Sequence, residues 1–128
     1  MNRLKMLKQL RDKEASDLTD NKRIMGMLGI AAKAGRLKSG EFQSEESVKS
    51  GRARLCILAS DASERTSKHF RDMCEYRHIP VYKADIGKDA LGQTIGRGQR
   101  TSVTIEDKGL ADNILRLIDG GSVSGNRE

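Results

Sequence analysis

Cationic side chains and a glycine turn lie close together in one short segment of this chain. Lys33, Arg36 and Lys38 occur within six positions, and Ser39-Gly40-Glu41 follows them directly. The pattern predicts a helix that ends at Gly35 and a second helix that begins at the Ser-Gly-Glu turn. Exposed backbone N–H groups and the positive end of the helix dipole would then meet at this turn, an arrangement that favours anions.

A second basic segment, Gly96-Arg97-Gly98-Gln99-Arg100, is predicted to be a flexible loop between a helix and a strand. Loops at such junctions converge at one end of an α/β sandwich and commonly carry function. The first segment would supply amides and polar side chains for base edges, and the second would supply cations for a phosphate backbone. The net charge of +6 and the pI of about 9.5 agree with a polyanionic partner, and a nucleic acid is favoured.

The elements that must position these segments follow from apolar spacing and turn residues. Gly26 and Gly29 predict close packing of the first helix. Alternating helices and strands predict an α/β fold, a three-layer α/β/α sandwich with about four strands. We expect residues 21–118 to form this domain, residues 1–20 to form a basic amphipathic N-terminal helical extension, and residues 119–128 to be a disordered tail. The predicted helices are the one ending at Gly35, 41–50, 64 to the His78-Ile79-Pro80 break, 87–95 and 108–118, and the strands are 36–39, 54–60, 81–83 and 101–105.

Catalytic and metal-binding patterns are absent from the sequence. His69 and His78 are nine positions apart, and no motif of a hydrolase, a metalloprotease or a phosphate-binding loop occurs. Cys56 and Cys74 form no CxxC pair and are expected to be reduced, partly buried thiols of a cytoplasmic protein. No apolar run reaches the length of a membrane helix. We therefore expect no enzyme activity, no cofactor and no metal.

Several motifs, taken in order, resemble those of the YlxQ family, which is similar to the kink-turn RNA-binding ribosomal-protein superfamily of the large-subunit seven-Ae/thirty-e type. The resemblance covers about residues 21–118 and implies a mixed sheet. The motifs are Ile24-Met25-x-x-Leu28-Gly29-Ile30-Ala31-x-Lys33-Ala34-Gly35, Ser39-Gly40-Glu41, Val48-Lys49-Ser50-Gly51, Leu55-x-Ile57-Leu58-Ala59-x-Asp61-Ala62-Ser63, Ile79-Pro80-Val81 and Leu91-Gly92-x-x-Ile95-Gly96.

The superfamily binds RNA at a strand-to-helix junction, through a Gly-x-Asn-Glu pattern followed by a lysine. That pattern falls here on Gly40–Gln43, with Phe42 in place of the asparagine, Gln43 in place of the glutamate and Glu46 in place of the lysine. The resemblance also implies a second RNA contact at Gly96-Arg97-Gly98, and it implies that Asp61 lies beside the same face.

Together these observations predict a non-enzymatic, monomeric protein that binds structured RNA, either kink-turn-like or ribosomal. The alternative is a protein-interaction module that has lost kink-turn recognition and docks on the ribosome or a translation factor through residues 1–18, where Leu4, Leu7 and Leu10 recur at helical spacing. The predicted RNA-binding residues are Lys33, Arg36, Lys38, Ser39, Gly40, Glu41, Phe42, Gln43, Asp61, Gly96, Arg97, Gly98 and Arg100.

Overall fold

The computed structural model describes residues 20–119, in which five helices surround a four-stranded sheet in the predicted order. The predicted extension and tail lie outside the described residues, apart from Asp20 and Asp119. The helices are α1 (residues 20–33), α2 (Glu41–Lys49), α3 (Glu64–Tyr76), α4 (Lys88–Thr94) and α5 (Lys108–Ile118), and the strands are β1 (Leu37–Ser39), β2 (Leu55–Leu58), β3 (Val81–Lys83) and β4 (Ser102–Ile105).

The sheet is mixed, as the family resemblance implied, and its strand order is β1-β4-β2-β3. β4 is antiparallel to β1 and β2, whereas β2 and β3 are parallel. The carboxyl ends of β1, β2 and β3 therefore lie at the same sheet edge as the amino end of β4. Ser39 pairs with Val103 there, and Leu58 pairs with both Ser102 and Lys83. We call this the Ser39 edge and the other end of the strands the opposite edge.

Helices cover both faces of the sheet, which confirms the predicted three layers. Because side chains alternate along a strand, Leu55 and Ile57 pack into one core with α1, α4 and α5. Cys56 and Leu58 point the other way and pack with Phe70 in a second core under α2 and α3. Every residue of β2 and β4 is buried, as expected for strands in the middle of a sandwich.

α1 lies on the first core through Ile24, Leu28 and Ala31, which are all buried at helical spacing. A Cβ at Gly29 would lie 3.5 Å from the Thr94 carbonyl oxygen, so this glycine is close to α4 as predicted. The same prediction is wrong for Gly26, because a Cβ there would meet nothing within 4 Å.

Both cysteines are buried and neither is in a disulfide. A hydrogen bond with the Cys74 thiol, together with burial, raises the pKa of the Cys56 thiol well above its usual value. A buried, protonated thiol is unreactive, which agrees with a structural role. Among residues 20–119, no helix is both long and apolar enough to cross a bilayer.

Small hydroxyl side chains lie buried on α2 and β4, two elements that pack against each other. Ser44 Oγ, Ser102 Oγ and Thr104 Oγ1 have no hydrogen-bond partner within residues 20–119. A buried hydroxyl without a partner costs about 1–3 kcal/mol. Since small side chains let a helix approach a strand closely, this cost accompanies tight packing of α2 on the sheet.

Thr104→Val should raise the free energy of unfolding by about 1 kcal/mol, because it replaces this hydroxyl with a methyl group of similar shape. Urea unfolding of the whole chain measures the change. Thr101→Val, at a half-buried position outside the strand, is the control and should stay within about 0.5 kcal/mol of wild type. A loss of stability in Thr104→Val would show that the hydroxyl is satisfied.

Candidate nucleic-acid interface

The amino-terminal end of α2 lies at the Ser39 edge. Gly40 is its N-cap with φ +90°, a left-handed conformation that favours glycine. The Gly40 amide donates to the Ser102 carbonyl at 3.0 Å, which fixes this turn to β4. The hydrogen bonds of the helix begin with the Ser44 amide, which donates to the Gly40 carbonyl at 2.9 Å. No side chain in the described part of the protein caps the preceding amides, so they are available to an anion.

Arg100 lies over this helix start. Its Nε donates to Ser39 Oγ at 3.0 Å, and its backbone amide donates to the Lys88 carbonyl at 3.1 Å. A Cβ placed on Gly40 would lie 3.8 Å from the same Nε. The guanidinium is thus held next to the α2 amides, and both groups attract negative charge.

The loop that carries Arg97 rests on α4. Gly96 turns the chain with φ +75°, and the Arg97 amide donates to the Gly92 carbonyl at 2.8 Å. A Cβ on Gly92 would lie only 1.8 Å from the Gly98 carbonyl oxygen, so the loop can approach α4 this closely only because residue 92 is glycine.

These parts enclose a groove of about 180 Å³ at the Ser39 edge. Two guanidinium groups, a hydroxyl and an amide face it, and none of its lining residues is acidic. Such a set suits a phosphate oxygen beside a base edge, since guanidinium binds phosphate strongly and an amide both donates and accepts. We call it the Arg97 groove, and its lining residues are Ala32, Leu37, Ser39, Gln43, Ile95, Arg97 and Arg100.

Of the predicted residues, the structure brings Ser39, Gln43, Arg97 and Arg100 together around one groove. The glycines act through the backbone: Gly40 underlies Arg100, and Gly96 and Gly98 shape the loop. Glu41 and Phe42 are exposed in the first turn of α2, beside the groove rather than in it.

Other predicted residues lie elsewhere. Lys38 alternates with Leu37 and Ser39 along β1, so its side chain is on the opposite face of the sheet from the groove. The Arg36 carbonyl accepts from the Glu106 amide at 2.8 Å, which places Arg36 at the opposite edge. The expectation that both would line one rim with Arg97 is therefore wrong.

Lys33 and Asp61 are also outside the groove. Lys33 is exposed at the last helical residue of α1. Asp61 follows β2 at the Ser39 edge, and its Oδ1 accepts from the Lys88 amide at 2.9 Å. That bond holds the first turn of α4, so the observed contact of Asp61 is structural.

The outer face of α2 differs from the groove in its chemistry. Phe42 is 78% exposed, and a depression of about 460 Å³ beside it is also lined by Glu45, Glu46 and Lys49. Glu45 lies 2.8 Å from Lys49 Nζ and 3.4 Å from His69 Nε2. The hydrogen bond from Lys49 is the main reason that the pKa of Glu45 is lowered.

Sequence reasoning did not find the apolar side of the groove, which Ala32, Leu37 and Ile95 form. Ala32 and Ile95 flank the two basic segments and Leu37 lies within the first, but apolar residues in a helix or strand look like core. The importance of Gly92 was also missed, although it stands in the motif Leu91-Gly92-x-x-Ile95-Gly96. Its role depends on a tertiary approach that spacing cannot show.

Comparison with known proteins assigns this chain to a family. The model of the ribosomal protein L7Ae/L30e/S12e/Gadd45 family matches residues 22–115, which include every residue of the Arg97 groove. The chain belongs to this family. The YlxQ resemblance is confirmed as well: the chain is 36% identical over 93 residues to RNA-binding protein YlxQ of Bacillus subtilis, covering 73% of this chain and 92% of that one.

Solved structures agree on the architecture. A protein of unknown function from Bacillus halodurans C superposes with a TM-score of 0.71 at 36% identity, covering 75% of this chain and 96% of that one. The 15.5kD RNA binding protein of Giardia lamblia superposes with a TM-score of 0.67 at 22% identity, covering 84% and 89%. The second likeness supports the fold alone.

Gly92→Ala should displace the Arg97 loop, because the new methyl group would overlap the Gly98 carbonyl. We expect a loss of about 2 kcal/mol in the free energy of unfolding, typical of overpacking, together with NMR shifts of the amides of residues 96–100. Gly26→Ala is the matched control, since a helical glycine in open space should gain about 0.5–1 kcal/mol as alanine. Equal behaviour of the two variants would contradict the close approach.

Proposed function

We propose that this protein is a non-enzymatic RNA-binding protein that recognises structured RNA at the Ser39 edge. The observation that carries the proposal is the juxtaposition of the α2 amide end with the Arg100 and Arg97 guanidinium groups around one groove. Family membership and the RNA-binding relative from Bacillus subtilis support it. We further propose that the protein acts in the cytoplasm as a monomer.

Each part of the groove has a role in this proposal. The α2 amides near Glu41 and Phe42 and the guanidinium of Arg100 bind phosphate oxygens, with Gly40 allowing the backbone close approach. Arg97 is exposed on its loop and neutralises a neighbouring phosphate. Gln43 is exposed on the first turn of α2, and its amide reads a base edge by donating and accepting.

The RNA is proposed to be kink-turn-like or ribosomal. A strongly bent RNA presents unpaired base edges and closely spaced phosphates at one place, and a groove of about 180 Å³ between a helix end and a loop fits such a point. Lys33, Arg36 and Lys38 lie outside the groove and contribute long-range attraction only. Such attraction falls off over about a Debye length and is sensitive to salt.

Arg97→Ala should weaken binding of a kink-turn hairpin and reduce the slope of log affinity against log salt by about 1, because one phosphate contact is lost. Fluorescence anisotropy over a salt series measures both quantities. Arg71→Ala, which removes an exposed arginine from α3, is the matched control. Equal effects of the two substitutions would refute the assignment of the groove.

Gln43→Ala should lower the preference for a kink-turn hairpin over a fully paired hairpin of the same length, because a base-edge contact is worth about 1–3 kcal/mol. Both hairpins are titrated at one salt concentration. A uniform loss for both RNAs would show that Gln43 contacts backbone, and no change for either would remove it from the interface.

A second candidate function is favoured by the exposure of Phe42, 78% of its surface, next to the carboxylates of Glu45 and Glu46. This face suits a protein partner with an apolar anchor and basic neighbours. A translation-associated interaction module of this kind would keep its partner at high salt, where RNA is released.

Phe42→Ala separates the functions, because it should leave RNA binding in the groove unchanged and abolish a salt-resistant complex.

A further inference from the structure

A second groove lies at the opposite edge of the sheet, beyond the amino ends of β2 and β3. It has a volume of about 290 Å³, and the segments before these two strands form it together with α5. The strands separate it from the Arg97 groove, with which it shares no residue. We call it the Arg54 groove, and its lining residues are Gly51, Ala53, Arg54, Arg77, His78, Ile79, Pro80, Lys108, Asp112 and Leu115.

The Arg54 groove is positively charged. Its lining contains three cationic side chains, those of Arg54, Arg77 and Lys108, and one carboxylate, that of Asp112. Lys108 Nζ lies 2.9 Å from the Asp112 carboxylate. Arg54 is exposed just before β2, and its backbone amide is held by the Ile105 carbonyl at 2.7 Å. The groove thus presents cations from three separate elements at one place.

The nearby carboxylates on the segment after β4 are already engaged. Glu106 Oε2 accepts from Ser47 Oγ at 2.7 Å and lies 3.5 Å from Arg52 Nε. Asp107 Oδ2 accepts from the Leu110 amide at 2.8 Å as the N-cap of α5. Glu106 is thus paired with a cation within the protein, and Asp107 is held by a backbone amide at the start of α5.

An exposed aromatic ring adjoins these cations. Tyr76, the last residue of α3, is 79% exposed, and the Arg77 guanidinium lies 5.2 Å from its ring centroid. A tyrosine ring of this exposure is accessible to a stacking partner. Arg77 therefore joins the ring to the groove as one continuous surface.

The next residue, His78, holds φ +59° in the turn between α3 and β3. Histidine, like asparagine and aspartate, adopts this region more often than most non-glycine residues. The turn places the His78 imidazole beside Arg54 and Arg77 in the groove lining.

We propose that Tyr76 and the Arg54 groove form a second RNA-binding surface, which takes a single-stranded segment. One of its bases stacks on the Tyr76 ring, and its phosphates lie against Arg54, Arg77 and Lys108. An exposed aromatic ring beside a cationic track is the arrangement that binds single strands without reading a sequence. This surface goes beyond the proposed function and does not depend on it, because it lies at the other edge of the sheet. With both edges occupied, one protein molecule holds two RNA segments together.

The test titrates the full chain with a short fluorescein-labelled oligouridine, and separately with a kink-turn hairpin. The double variant Arg54→Ala/Tyr76→Ala should lose roughly tenfold or more in affinity for the oligouridine, as expected for one stacking and one phosphate contact. Its affinity for the hairpin should stay unchanged. Tyr76→Phe keeps the stacking face and should restore binding relative to Tyr76→Ala. Arg23→Ala, at an exposed position on α1, is the charge control.

A capture experiment tests whether both surfaces act at once. The kink-turn hairpin is immobilised, and retention of oligouridine by the bound protein is measured. Retention that Arg54→Ala/Tyr76→Ala abolishes supports the second surface. Oligouridine binding that Arg97→Ala abolishes and the double variant leaves intact would overturn the proposal, as would equal loss in Arg23→Ala. Failure of hairpin binding with intact oligouridine binding would instead refute the proposed function alone.

Discussion

The antiparallel insertion of β4 between β1 and β2 is the constraint on which the other features depend. β4 is the last strand within residues 20–119, yet it lies inside the sheet and pairs on both sides. Its direction brings the loop before it to the edge where β1 ends. Ser39 and Arg100 are 61 positions apart and nevertheless share a hydrogen bond of 3.0 Å. Since all four β4 residues are buried, the same pairing that fills both cores also assembles the groove.

Backbone conformation holds the groove in shape before any ligand arrives. Gly40 and Gly96 adopt positive φ angles, and Gly92 admits the loop against α4. The Arg97 amide and the Arg100 amide are both bonded to carbonyls of α4 residues. A loop fixed in this way loses little conformational freedom on binding, so more of the contact energy appears as affinity. These three glycines therefore determine where the Arg97 and Arg100 side chains lie.

Much of the fold could be predicted from the sequence because its signals are local. Ser63 caps α3, with Oγ accepting from the Thr66 amide at 3.1 Å, and Gly35, where the first helix was predicted to end, has φ +72° just after α1. The composition of the groove was predicted in part, through Ser39, Gln43, Arg97 and Arg100. The errors have one cause: charge spacing does not show which way a side chain points.

Arg36 and Lys38 illustrate this limit. Side chains alternate along a strand, so Lys38 and Ser39 of β1 point to opposite faces of the sheet. The apolar residue Leu37 at the start of the strand already indicated this alternation. The place of Arg36 follows from the pairing of Leu37 with Ile105, a contact between distant parts of the chain. The spacing of residues along the sequence does not show which strands pair. It also does not show that Gly92 contacts the loop of residues 96–100, because that contact arises only in the folded protein.

Acidic residues lie along the side of α2 but not in the groove at its amino end. α2 carries Glu41, Glu45 and Glu46, whereas the Arg97 groove at its amino end has no acidic residue in its lining. Under the proposed function, a polyanion is repelled by the side of the helix and attracted to its end. Repulsion beside an attractive site narrows the set of poses that a partner can adopt, and so contributes to specificity rather than to affinity. Under the same proposal, Glu46, which takes the place of a lysine in the superfamily pattern, repels RNA from the side of α2, while the groove itself stays cationic.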